Sequence, residues 1–272
     1  MDFNINIDIN GIEKELLYNL LPDIKEVSYP YLEETFKGNK VAFLYKDINS
    51  NVTISYNKDI CFYAASTIKI LAALMILQMA LEGKINLEDK ILITKEDLKS
   101  DSGIIKNQVN DTYYTIKDLV RLSIVESDNT AYLKLVNILG KDSIKKYGNK
   151  LGAEYTMIGK ETDSFGITNT KDMLIYWEAI KRFIDENNIY SSMFKEWLST
   201  PSFKIIKDET INNHNYVRKY GSWDIAYHET GYIEDKNPYY LIILTQLNKM
   251  DYKDDFINES AKKIMAFHHK IH

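Results

Sequence analysis

Between Ile60 and Gly83 the chain reads ICFYAASTIKILAALMILQMALEG, and almost every side chain in it is apolar. Ile68, Ile70, Leu71, Leu74, Met75, Leu77, Met79 and Leu81 fall on all sides of a helix rather than on one stripe, which predicts a central helix covered from every direction. That demand is severe, because such a helix needs neighbours all round it. Ser66 and Lys69 interrupt the apolar run. Three positions apart, they share a helix face, and a serine beside a poorly hydrated lysine is a nucleophile beside a base. Two plainer readings compete. A membrane span is opposed by Ser66, Thr67, Lys69 and Gln78 within the run, since a central lysine is costly in lipid. A core helix whose lysine snorkels to the surface is compatible with four residues taken alone.

The remaining composition narrows the classes. With 272 residues and 45% hydrophobic content, the chain suits one large domain or two intimate lobes around a real core. A formal charge of −5 and no basic block argue against nucleic acid as the partner. One cysteine, Cys61, excludes an internal disulfide framework and a cysteine-based metal cluster. His214, His268, His269 and His272 show no metal-ligand spacing, so no metal and no cofactor are expected. The N-terminus carries Asp2 and Asp8 and lacks a basic segment followed by an apolar core, which does not read as a secretory signal. This fits a cytoplasmic protein if the chain is full length, and a secreted or cell-envelope protein if a leader was removed.

Periodicity gives an element order. Gly11 to Leu21 reads as an amphipathic helix, Val41–Tyr45 and Val52–Tyr56 as a hairpin, and Gly83 to Tyr114 as polar and irregular. Helices are predicted over Thr115–Glu126 behind a Thr115 cap with Asp118 three residues on, Thr130–Leu139, Ser143–Leu151, Asn169 or Thr170 to Glu186, and briefly Met193–Leu198. From Asn215 the pattern alternates as three strands, and Asp254–His268 closes as a helix with Phe256, Ile257, Ala261, Ile264 and Met265 on one side. The predicted class is α+β: an antiparallel sheet built from both chain ends, flanked by terminal helices, with an all-helical lobe inserted. The predicted lobes of this single domain are 1–60 plus 205–272 (α/β) and 61–204 (helical), meeting at a cleft.

Three short motifs follow in chain order: Ser66-Thr67-Ile68-Lys69, Ser127-Asp128-Asn129 and Lys219-Tyr220-Gly221-Ser222. In these, and in YTIKDLVRLSIVESDNTAYLKLVNILG around the second, the chain resembles the penicillin-recognising serine hydrolases, and within them the class A β-lactamases, with the signature S-x-x-K, S-D-N, K-T/S-G. The resemblance covers about residues 40 to 265 and implies a β-lactamase/transpeptidase-like fold. It implies Ser66 as nucleophile, Lys69 as general base, Ser127 as proton relay, and Asn129 as a holder of Lys69 and of a substrate amide. Lys219 is implied as a positive charge for a substrate carboxylate, and the backbone N–H groups of Ser66 and Ser222, after Gly221, as the oxyanion hole. Asp128 reads as structural. His228-Glu229-Thr230-Gly231 offers a second T-G pair without the lysine, and His228 reads as a satisfied strand residue.

Two departures bear on the reaction. The class A enzymes carry a glutamate in an E-x-x-L-N loop that activates the deacylating water, whereas Gly152 to Asn169 holds AEYTMIGKETDSFGIT between them. Glu161 or Asp163 is the candidate stand-in. Tyr220 replaces the family's Thr or Ser, so its phenol must turn elsewhere or reshape the site, and no arginine lies near the following strand to take a carboxylate. The expectation is a serine hydrolase acylated at Ser66 by a small-molecule substrate, a β-lactam or peptide-like amide, and weak in release. The alternatives are a ligand-binding sensor, a D,D-peptidase or esterase without β-lactam turnover, or a degenerate structural relative.

Overall fold

A computed structural model describes residues 6–8, 41–50, 52–158 and 163–272. Two compact units emerge: an α/β unit of the described residues up to Phe62 with Asn169–Leu174 and Lys204–His272, and a helical unit of Tyr63–Thr168 and Ile175–Phe203. The helix expected over Gly11 to Leu21 lies outside the described residues.

The α/β unit is built on a six-stranded sheet. Its strands are β1 (Asn6–Asp8), β2 (Val41–Asp47), β3 (Thr53–Tyr56), β8 (Asn215–Trp223), β9 (Ala226–Glu234) and β10 (Tyr239–Thr245), in the order β1-β3-β2-β10-β9-β8. Both chain ends therefore supply the sheet: β10 runs antiparallel to β2, with Leu241 opposite Tyr45 and Ile243 opposite Phe43. Among the described residues of this sheet the β1–β3 pair is the parallel one, with Ile7 in register with Ile54. All seven residues of β10, YYLIILT, are buried, so both of its faces are covered and the strand reads as a continuous apolar run rather than an alternation. The helix that closes the chain, α7 (Lys253–Ile271), lays Phe256, Ile257, Ala261, Ile264 and Met265 into a core with Tyr45, Ile54, Tyr216, Ile233 and Leu241. These are the five helix residues that the periodicity marks. Asn258 ties the helix down by accepting from Lys207 N–H at 3.0 Å and Thr210 Oγ1 at 2.7 Å, and by donating to the Ile205 carbonyl at 2.9 Å.

In the helical unit α1 (Lys69–Leu81) is preceded by a short 3-10 turn, Ala65–Ile68. Around it stand α2 (Ile116–Val125), α3 (Asn129–Leu139) and α4 (Lys141–Leu151), each in contact with α1. Ile70, Leu71, Ala72, Ala73, Leu74, Ile76, Leu77 and Ala80 are all buried, as an all-round apolar helix requires. Gly148 lets α4 approach closely, because a Cβ there would meet Leu71 Cδ2 at 3.3 Å and the Tyr176 hydroxyl at 2.9 Å. Thr115 and Asp118 form the expected reciprocal cap on α2, with Asp118 N–H donating to Thr115 Oγ1 at 3.0 Å. Farther along come α5 (Thr170–Asp185) and α6 (Ser191–Ser199), and the short strands β4 (Phe62–Tyr63) and β7 (Ile167–Thr168).

The segment from Gly83 to Tyr114 departs from expectation. It holds strand β5 (Lys90–Ile93), which pairs antiparallel with β6 (Thr112–Thr115), Ile91 facing Tyr114. Neither KILI nor TYYT alternates apolar with polar side chains, so the period that marks a strand is missing, and their pairing is made by residues distant in sequence. No described helix is long and apolar enough to cross a membrane.

Candidate active site

The chain turns sharply into the 3-10 segment that carries Ser66. Ala64 N–H donates to the Gly166 carbonyl at 3.0 Å, Thr67 Oγ1 donates to the Ala64 carbonyl at 2.6 Å, and Thr67 N–H reaches the same oxygen at 3.2 Å. Between these anchors Ala65 takes a φ of +48°, a left-handed conformation costing a non-glycine residue about 1–3 kcal/mol. Such strain is held only where the surroundings over-determine it. Its effect is to aim the next residue, Ser66, which is 7% exposed. The Lys69 backbone N–H donates to the Ser66 carbonyl, so nucleophile and lysine sit on successive turns of one continuous coil.

Lys69 is fully buried. Its Nζ donates to the Ser127 carbonyl at 2.6 Å and to Asn129 Oδ1 at 2.7 Å, with Ser127 Oγ farther off at 3.3 Å. The rings of Tyr132 and Phe165 wall the amine, their centroids 5.7 and 5.5 Å from Nζ. Tyr132 is itself pinned by donating to the Ser164 carbonyl at 2.7 Å. The lysine therefore does not snorkel. It ends in a polar pocket that the second motif supplies.

That motif occupies the turn between α2 and α3. Ser127 has a φ of +51°, again left-handed, and presents both its carbonyl and its hydroxyl to Lys69. Asp128 caps α3: its Oδ1 accepts from Ala131 N–H at 2.9 Å and its Oδ2 from Ile105 N–H at 2.8 Å, the structural role expected for it. Gly103 makes room for that carboxylate. It has a φ of +104°, and a Cβ there would fall 2.1 Å from Asp128 Oδ2 and 2.4 Å from Asp128 Cα. Asn129 N–H donates to the Ser102 carbonyl at 3.1 Å, which fixes the amide that holds Lys69.

Ser66, Lys69, Ser127 and Asn129 belong to the helical unit, and Lys219, Tyr220, Gly221 and Ser222 to the α/β unit. The last four lie on β8, with Lys219 facing Thr230, Gly221 facing His228 and Ser222 facing Tyr227 on β9. The second T-G pair is thus the neighbouring strand of the first. His228 Nδ1 accepts from Thr245 N–H at 2.9 Å. Burial pulls the Lys219 ammonium down to about 7, while the charge of Glu229 works the other way. Its Nζ lies 4.1 Å from the centre of the Tyr220 ring and donates to the Tyr220 carbonyl at 3.1 Å. Tyr220 packs its phenol against the core of the α/β unit. Ser222 Oγ lies 3.4 Å from Asn248 Oδ1. Glu229 is buried, which pushes its carboxyl up against the pull of Arg218. Its Oε2 accepts from Ile205 N–H at 2.8 Å and from Ile206 N–H at 3.1 Å.

Glu161 lies outside the described residues. Asp163 is committed to its own turn: Oδ1 accepts from Phe165 N–H at 2.8 Å and Gly166 N–H at 3.0 Å, and Oδ2 from the Tyr63 hydroxyl at 2.7 Å. The sequence reading missed the strained Ala65 and Ser127, and missed Tyr132 and Phe165 as walls around Lys69. Tyr132 did carry a signal, standing three residues after Asn129 and so on the same face of α3.

Comparison with known proteins agrees with this geometry. The profile of the Beta-lactamase enzyme family matches residues 22–267. A β-lactamase of Bacillus licheniformis is 38% identical over 127 residues, a stretch that spans 46% of this chain and 40% of that relative, less than half its length. Among solved structures, PBP-A superposes with a TM-score of 0.79 at 16% identity, over 93% of this chain and 97% of that one. A representative of the class A β-lactamases from Bacteroides cellulosilyticus gives 0.74 at 18% identity, over 90% and 96%. The S-x-x-K helix, the S-D-N turn, the sheet order and the family profile converge on one assignment: the chain belongs to the β-lactamase enzyme family and has the class A fold.

Proposed function

We propose that the protein is a serine hydrolase acylated at Ser66 by a β-lactam or a related amide, and that it releases the acyl group slowly. The observation that carries the reading is the bonding of Lys69. Its short contacts, 2.6 Å to the Ser127 carbonyl and 2.7 Å to Asn129 Oδ1, with Ser127 Oγ at 3.3 Å, hold the amine one turn beyond Ser66 and beside the proposed proton relay. In this proposal Lys69 is the general base that accepts the Ser66 proton. In acylation the Ser66 oxygen bonds to the substrate carbonyl carbon and its proton passes to Lys69. As the C–N bond breaks, Ser127 gives its proton to the leaving nitrogen and recovers one from Lys69, the Nζ to Oγ separation being 3.3 Å. Protons balance and Lys69 returns to its neutral form. The resemblance to the class A enzymes assigns the oxyanion to the Ser66 and Ser222 amides and a substrate carboxylate to Lys219.

Slow release is supported by Asp163, whose two carboxylate oxygens are already engaged in holding its turn. Mixing the protein with benzylpenicillin should add one acyl mass to the Ser66 peptide, with the adduct persisting for many times the acylation time. Ser66→Ala should stay unlabelled. Absence of any adduct would remove the acylation reading, whereas sustained turnover of a chromogenic cephalosporin would remove slow release alone.

A further inference from the structure

Four histidines, three of them within residues 268–272, sort within the α/β unit into two groups, each with an aspartate. In one, Asp47, His268 and His272 bring one ligand atom apiece to within 4.8 Å of one another, and in the other His214, Asp235 and His269 do the same. His268 lies on α7 and His272 is the residue that follows it, and both rings reach Asp47, which closes β2.

We infer that Asp47, His268 and His272 form a binding site for a divalent transition ion of the zinc type, clipping the end of α7 to the end of β2. Two imidazoles and one carboxylate are the donor set that such an ion takes, with one coordination position left open. The carboxylate is preset: Asp47 Oδ1 accepts from Asn49 N–H at 2.7 Å and Ser50 N–H at 2.6 Å, which turns Oδ2 toward the histidines. Asp47 and His268 are buried, with 0% and 1% side-chain exposure. A tetrahedral zinc ion with bonds of about 2.0–2.2 Å holds its N and O ligands roughly 3.3–3.5 Å apart. His268 Nδ1 already stands 3.6 Å from Asp47 Oδ2. His272 Nε2 stands at 2.5 Å, a hydrogen-bonding distance, and it is the more exposed ligand, so it is the one that swings out by about 1 Å to admit the ion. The Tyr45 hydroxyl, 2.7 Å from His268 Nδ1, gives up that contact when the ring ligates.

The second group is the weaker candidate. His214 Nε2 and His269 Nε2 lie 3.8 and 3.0 Å from Asp235 Oδ2, and both rings are solvent-facing at 31% and 44% exposure. Neither reading depends on the role of Ser66. Without an ion, the Asp47 group would serve as a plain hydrogen-bonded clasp, and the two uses are separable by experiment.

The whole chain, stripped with EDTA, is titrated calorimetrically with Zn²⁺ and spectroscopically with Co²⁺, whose visible bands report imidazole ligation. We expect one equivalent bound and a raised thermal midpoint. His272→Gln, a change at an exposed position, should lower affinity at least about tenfold, since even losing a partner that only orients a ligand costs that much. His269→Gln should leave the affinity unchanged. No saturable uptake of either metal, or uptake that survives His272→Gln, or uptake abolished by His269→Gln alone, would each overturn the assignment.

Discussion

Lys69 has no exposed surface, and yet its amine meets two good acceptors and a serine hydroxyl. The low-dielectric setting makes each of those bonds matter more than it would in water. Lys69→Met keeps the length and apolar stem and deletes the base. Acylation of that variant by benzylpenicillin should slow by about 10²–10⁴-fold, the usual share of a positioned general base, as read by stopped-flow mass labelling. A rate within a few-fold of the native one would remove Lys69 from the proton path. Ala65 and Ser127 show strain of the same kind, with φ values of +48° and +51°. Both sit next to groups that must point in one direction, which is where strained backbone is retained.

At the level of elements, the second motif depends on a loop that no local pattern announces. Gly103 is the contact on which the α3 N-terminus rests, since any side chain there collides with Asp128. Gly103→Ala should lose about 1–3 kcal/mol to backbone strain alone, and more from displacing the cap that serves Ala131 and Ile105. Because Asn129 follows Asp128 directly, acylation should fall along with the thermal midpoint. Loss of stability with an unchanged acylation rate would show that the cap and the Lys69 pocket are uncoupled. The elements themselves divide by how plainly a period shows. The amphipathic α7, the capped α2 and the all-apolar α1 are legible because each runs long enough for a period to show. The β5–β6 pair, whose KILI and TYYT show no alternation, is not.

For the molecule as a whole, buried charge links stability to pH through the sheet. The folded chain sheds the Lys219 proton near 7, whereas an unfolded one keeps it to the ordinary value of 10.5. Between those values the unfolded state binds more protons, so this contribution to stability grows as pH rises and is lost as pH falls through about 7. Glu229, with its carboxyl pushed up, has the opposite sign: its contribution is present at low pH and is lost as pH rises through its raised value. Lys219→Met should therefore gain thermal midpoint over the native chain most at about pH 6 and least at about pH 10. An advantage independent of pH would show that Lys219 does not titrate in the folded state as described. The sequence by itself determined the family resemblance, the α+β class with a sheet from both chain ends, and the major helices, because motif spacing and apolar period are properties of local order. Only the tertiary structure decided what surrounds Lys69, why Gly103 must be a glycine, that Asp163 is spent on its own turn, and that four histidines gather around two aspartates. Each of those depends on contacts between residues far apart in the chain, such as Asp47 and His272, whose 2.5 Å approach leaves no mark on the sequence near either one.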